Sequence, residues 1–107
     1  MKESPHVSRL EKLQALLEKE PNDAFLNFGL AMELAKAGRF EESLAQFDRT
    51  IANDPNYIAA YFQKGRTYVN LGEIDRAKET LQKGIAQANA CGETHAAGEM
   101  SELLATL

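Results

Sequence analysis

The side chains in this sequence with the right chemistry for catalysis or metal binding are His6, His95, Cys91 and the pair Glu41-Glu42. A cysteine nucleophile needs a nearby base and a depressed pKa. His95 lies one helical turn beyond Cys91 and is the candidate base, but no oxyanion donor or orienting carboxylate accompanies the two. Cys91 therefore reads as a structural or incidental thiol. His6 and His95 stand near opposite ends of the chain, and a stable metal site needs three or four ligands. Adjacent residues on a helix diverge by about 100°, so Glu41 and Glu42 do not act on one substrate atom and read as a solvated face. His-x-Glu, Cys-x-x-Cys and Gly-rich phosphate-loop patterns are missing. The expectation is a protein that is not an enzyme and needs no cofactor or metal.

Composition narrows the classes further. The chain has 107 residues, with Lys+Arg 12 against Asp+Glu 16 and a net charge of −4. That balance lacks the basic footprint of a nucleic-acid or anionic-membrane binder. A single cysteine precludes an intrachain disulfide, so packing alone must hold the fold. The start of the chain has no apolar stretch, so no secretory signal is expected. The longest apolar run, Tyr57 to Phe62, is far short of a membrane span. A cytoplasmic location is the expectation. The bias toward Ala, Leu and Glu, with little Val, Ile or Thr, favours helix over sheet.

Those helices are arranged by an internal repeat. A shift of 34 positions places Pro21-Asn22 on Pro55-Asn56, Phe28 on Phe62, Gly38 on Gly72 and Ile51 on Ile85. Leu13, Phe47 and Leu81 form one apolar column, and Leu17, Ile51 and Ile85 another. Each unit reads as two helices. Leu26, Leu30, Ala31 and Leu34 recur at helical spacing, and Gly38 then supplies the left-handed residue that ends a helix. Phe40, Ser43, Leu44, Phe47 and Ile51 resume the period until Asn53-Asp54-Pro55-Asn56 stops it. Tyr61, Gly65, Tyr68, Gly72, Ile74, Ala77, Leu81 and Ile85 repeat the scheme. Gly38 and Gly72 are expected at positive φ or at the helix-ending turn.

These residues resemble the tetratricopeptide repeat (TPR) family. Ala31, Leu34, Ser43, Phe47 and Pro55 match its pattern in one repeat, and Gly65, Tyr68, Ala77 and Leu81 in the next. Tyr61 and Gly84 fill a further large and a further small position. Asn27, Thr50, Lys64 and Asn89 depart from the pattern, and Asn89, in place of the closing proline, predicts a longer last repeat helix before Gly92. The resemblance implies an all-α, right-handed α-solenoid of antiparallel helix pairs, one domain over 1–107. Within it, 6–19 is an N-terminal half-repeat helix with Leu10, Leu13, Leu16 and Leu17 on one face. Residues 22–55 and 56–90 are the two repeats, and 93–106 is a capping helix.

The resemblance also implies a concave groove lined by the first helix of each repeat. The corresponding residues are Phe25, Phe28, Met32, Ala35 and Lys36, then Ala59, Phe62, Arg66, Val69 and Asn70. Of these, Phe25, Phe28, Met32, Lys36, Phe62, Arg66, Val69 and Asn70 are the candidate peptide-binding residues. Ala96, Met100 and Leu103 are expected near the far end. A competing reading packs Phe25 and Phe28 against neighbouring helices. One family subset grips a carboxylate of chaperone tails with Lys and Asn residues; here Phe28, Met32, Gln63 and Glu93 stand there instead. The expected role is noncatalytic capture of a peptide segment of a partner protein, with no nucleic acid and no membrane. The alternative is self-association or an assembly scaffold using the same apolar surface. A monomer or weak homodimer is expected.

Overall fold

The computed structural model describes residues 5–107, with side chains from Arg9 onward. Among the described residues there are six helices and no strand: α1 (Pro5–Lys19), α2 (Ala24–Lys36), α3 (Phe40–Asn53), α4 (Ile58–Asn70), α5 (Ile74–Ala90) and α6 (Thr94–Ala105). They fall into two compact units, Met1–Asn53 and Asp54–Leu107.

In the first unit α1, α2 and α3 pack in succession. Asp23 starts α2 by accepting the Leu26 N–H at 2.9 Å, satisfying one of the donors that a helix start leaves open. Gly38, at φ 76°, ends it. The Arg39 N–H reaches back to the Leu34 carbonyl at 2.9 Å and the Gly38 N–H to that of Ala35 at 3.0 Å, which is the Schellman arrangement. Glu41 and Glu42 in the first turn of α3 suit the positive end of its dipole. The contacts between α2 and α3 run antiparallel. The Ser43 hydroxyl donates to the Ala31 carbonyl at 2.7 Å, while further along Phe28 meets Phe47. Leu30, Ala31, Leu34, Leu44 and Phe47 are buried. On the other side of α2, Leu13 of α1 fills the space beside Gly29.

Asn27, one of the departures from the family pattern, is fully buried. Its amide donates to Gln46 at 3.2 Å and its carbonyl accepts from Asn53 at 2.9 Å. The next repeat solves the same position differently. Tyr61 stands there and covers Gly84, where a Cβ would come within 2.6 Å of the Tyr61 Cβ and 2.7 Å of the Met100 sulfur. A large ring over a glycine in one repeat is replaced by an amide network, with Thr50 in place of the glycine, in the other.

In the second unit α4, α5 and α6 enclose Ile58, Leu81, Ala88, Ala97 and Met100. Gly65 allows α4 and α5 to approach, since a Cβ there would lie 2.7 Å from a Leu81 methyl. Gly72 (φ 75°) and Gly92 (φ 80°) terminate α4 and α5. Glu73 N–H to Tyr68 at 2.9 Å and Glu93 N–H to Ala88 at 2.8 Å repeat the closure seen at Gly38. With Asn89 in place of proline, α5 runs 17 residues against 14 in α3. The sequence expectations for the helix-ending glycines and for the longer helix hold.

Two placements differ from the sequence reading. Leu16 does not share the buried side of α1 but is 49% exposed. It lies with Lys12, Ala15 and Lys19 on an exposed flank of α1, about 60° around the helix from Leu13. Met100, expected near the groove end, is fully buried in the core because the missing side chain of Gly84 leaves room for its sulfur.

Candidate functional site

The α2 face of the first unit carries Phe25, Phe28, Met32 and Lys36 at helical spacing, apart from buried Leu30, Ala31 and Leu34. Phe25 is 72% exposed. The ring of Phe28 is half-buried, 5.9 Å from that of Phe47 and tilted by 57°, so one side of it belongs to the core. Met32 and Ala35 are half-buried and Lys36 is exposed. The Lys36 ammonium lies 3.5 Å from the buried Glu33 carboxylate, which also accepts from Arg9 of α1 at 2.9 Å. The positive charge of Lys36 is thus partly answered within the fold. The two readings of the aromatics divide: Phe25 is open, and Phe28 contributes to both core and surface.

The α4 face of the second unit carries Phe62, Arg66, Val69 and Asn70. Phe62 and Val69 are half-buried, and Arg66 and Asn70 are exposed. The Arg66 guanidinium sits 5.8 Å from the centre of the Phe62 ring, within cation–π range. Between the N-terminal halves of α4 and α6 lies an open hollow of about 400 Å³. Ile58, Ala59, Phe62 and Ala96 give it apolar lining, and Asp54, Glu93 and Glu99 bring carboxylates to it. Asp54 also accepts the Asn56 N–H at 3.0 Å, and Glu99 lies 3.9 Å from His95. Burial raises the Tyr61 phenol above its ordinary pKa, and its hydroxyl donates to the Pro55 carbonyl at 3.1 Å. Tyr61 is therefore part of the turn rather than of the open face. The acidic lining is not legible in the sequence, because Asp54 is distant in the chain from Glu93 and Glu99 and they meet only when α6 folds against α4.

Among the described residues, the chemically reactive side chains are not assembled. The Cys91 sulfur points back to the Ala88 carbonyl at 3.7 Å, while His95 is 93% exposed beside Glu99. The His6 side chain lies outside the described residues. Among the described residues no three His, Cys, Asp or Glu side chains cluster as metal ligands, and no helix is long and apolar enough to cross a membrane. Glu42 is held below the usual carboxylate range by its hydrogen bond to Arg39, and Arg39 is raised in turn. That pair lies at the start of α3 and has no part in the two faces. What the faces can do chemically is bury apolar side chains and pair with charges.

Helix pairs of this length, closed at Gly38 and Gly72 on a common period, define an α-helical repeat fold. The tetratricopeptide repeat profile matches residues 34–98. A TPR repeat-containing protein of Pseudomonas aeruginosa is 30% identical over 98 residues, covering 92% of this chain and 93% of that protein. The chain belongs to the tetratricopeptide repeat family. Among solved structures, the TPR2B domain of yeast Sti1 in its pHsp70 complex has a TM-score of 0.83 at 26% identity, covering 89% of this chain and 76% of that one. PcrH in complex with the chaperone-binding region of PopD has a TM-score of 0.87 at 22% identity, covering 94% and 77%, and shows the shared fold.

Proposed function

We propose that this chain is a noncatalytic binding module that captures a peptide segment of a partner protein on the first-helix faces of its repeats. Phe25, Phe28, Met32 and Lys36 would make the contacts on α2, and Phe62, Arg66, Val69 and Asn70 those on α4. The observation that carries this reading is Phe25: a large aromatic, 72% exposed, beside two half-buried apolar neighbours on one helix face. Exposed aromatics of this kind are favoured anchors in interfaces. The Sti1 relative, whose TPR domain is held in complex with pHsp70, supports a peptide as the ligand class. No cofactor takes part, and a cytoplasmic site of action belongs to the same proposal.

Peptides selected from a random library on the immobilised protein test the reading. Phe25→Ala/Phe62→Ala should weaken their binding at least ~10-fold, as expected for loss of anchoring aromatics, while the helical circular dichroism is retained. Unchanged affinity of the double variant would overturn it.

A further inference from the structure

The outward side of α1 and the hollow of the second unit have complementary chemistry. On α1, Lys12, Ala15, Leu16 and Lys19 are all exposed and follow one another at i, i+3, i+4 and i+7. That is the spacing with which a helix lays one face into a groove. Leu13, a neighbouring position on the helix surface, meets α2 at Gly29, whereas Lys12, Ala15, Leu16 and Lys19 on the adjoining flank are exposed. The stripe has an apolar centre and a lysine at each end.

The hollow has the converse pattern. Its apolar lining, Ala59, Phe62 and Ala96, is accompanied by Asp54, Glu93 and Glu99. At about 400 Å³ it lies within the usual range of ligand pockets, about 300–1,000 Å³. Two of its carboxylates, Glu93 just before α6 and Glu99 on it, stand at exposed positions, with 51% of the Glu99 side chain accessible. A peptide ending in carboxylates would meet like charge there, whereas a lysine-flanked leucine would meet both an apolar seat and opposite charge.

We propose that the occupant of this hollow is α1 of a second copy of the chain, with Leu16 seated against Phe62 and Ala96 and with Lys12 and Lys19 facing the carboxylates. The contact is heterologous: one surface of the first copy binds a different surface of the second. It goes beyond partner capture and shares only Phe62 with it. A contact of two helical turns buries less than the roughly 1,000 Å² of a stable complex, so association belongs at concentrations on the order of 0.1–1 mM. Lysine–carboxylate pairing makes it sensitive to salt.

Sedimentation equilibrium of the full chain across that range tests the inference. The apparent mass should rise with concentration in low salt and fall back in about 0.5 M NaCl. Leu16→Glu and Glu93→Lys/Glu99→Lys, all at exposed positions, should each remain monomeric with an unchanged helical spectrum. Mixed in equal amounts, the two variants should form a pair, because one keeps an intact hollow and the other an intact α1 stripe. A wild type that stays monomeric to ~1 mM, variants that associate like the wild type, or a mixture that stays monomeric would each overturn the proposal. A wild type that stays monomeric yet still binds selected peptides would leave the partner-capture reading standing. Self-association without peptide binding would do the reverse.

Discussion

Asn27 is the residue at which the family pattern and the physical environment disagree. The pattern asks for a large apolar side chain, but the position is fully buried and its amide joins Gln46 of α3 to Asn53 at the end of that helix. Asn27→Leu would remove both bonds and leave two amides to find new partners, a cost of about 1–3 kcal/mol. Urea denaturation should therefore show a less stable variant, and a more stable one would mean that the network contributes nothing. Glu42 gives a second residue-scale expectation. Its folded pKa is depressed chiefly by the Arg39 hydrogen bond. The pair thus adds stability above the ordinary glutamate pKa and loses it as pH falls through the depressed value. In an NMR titration the Glu42 carboxyl carbon should shift at lower pH than that of a glutamate in a model peptide. Arg39→Gln should bring it back into line, and an unchanged midpoint would remove the pair as the cause.

At the scale of helices, three glycines subjected to one substitution separate backbone strain from packing. Gly72→Ala meets open space but must adopt φ 75°, so it should destabilise by about 1–2 kcal/mol. Gly98→Ala also meets open space, lies within α6 at ordinary φ, and should stabilise by up to about 1 kcal/mol. Gly84→Ala would push its new methyl into the Tyr61 Cβ and the Met100 sulfur, and should destabilise by about 1–3 kcal/mol through overpacking. Thermal melts of the three variants should give a loss, a gain and a loss; equal effects would mean that these positions are not distinguished by conformation and space. The turn glycines were legible in the sequence because φ is a local property and the period repeats it. Leu16 and Met100 were not, because helical spacing puts a residue on a side of its helix without saying what covers that side. The neighbour of Leu13 is Gly29, and the neighbour of Met100 is Gly84. Both partners are distant in the chain.

For the molecule as a whole, the same logic separates what maintains the fold from what is left over. The period, the turns and the core columns Phe47 and Leu81 could be read directly, since each is an answer to burial that recurs in both repeats. The candidate faces could be read only as positions inherited from a family resemblance, because nothing in folding constrains an exposed side chain such as Phe25. The structure sorts those positions physically: Phe28 is shared with the core, Phe25 is open, and Phe62 lies between Arg66 and an acidic hollow. Backbone amide chemical shifts, recorded while a selected peptide is titrated into the labelled chain, test most directly whether those faces bind. Perturbations should concentrate on α2 from Phe25 to Lys36 and on α4 from Phe62 to Asn70. Perturbations confined to α3 and α5 would contradict peptide capture on these faces.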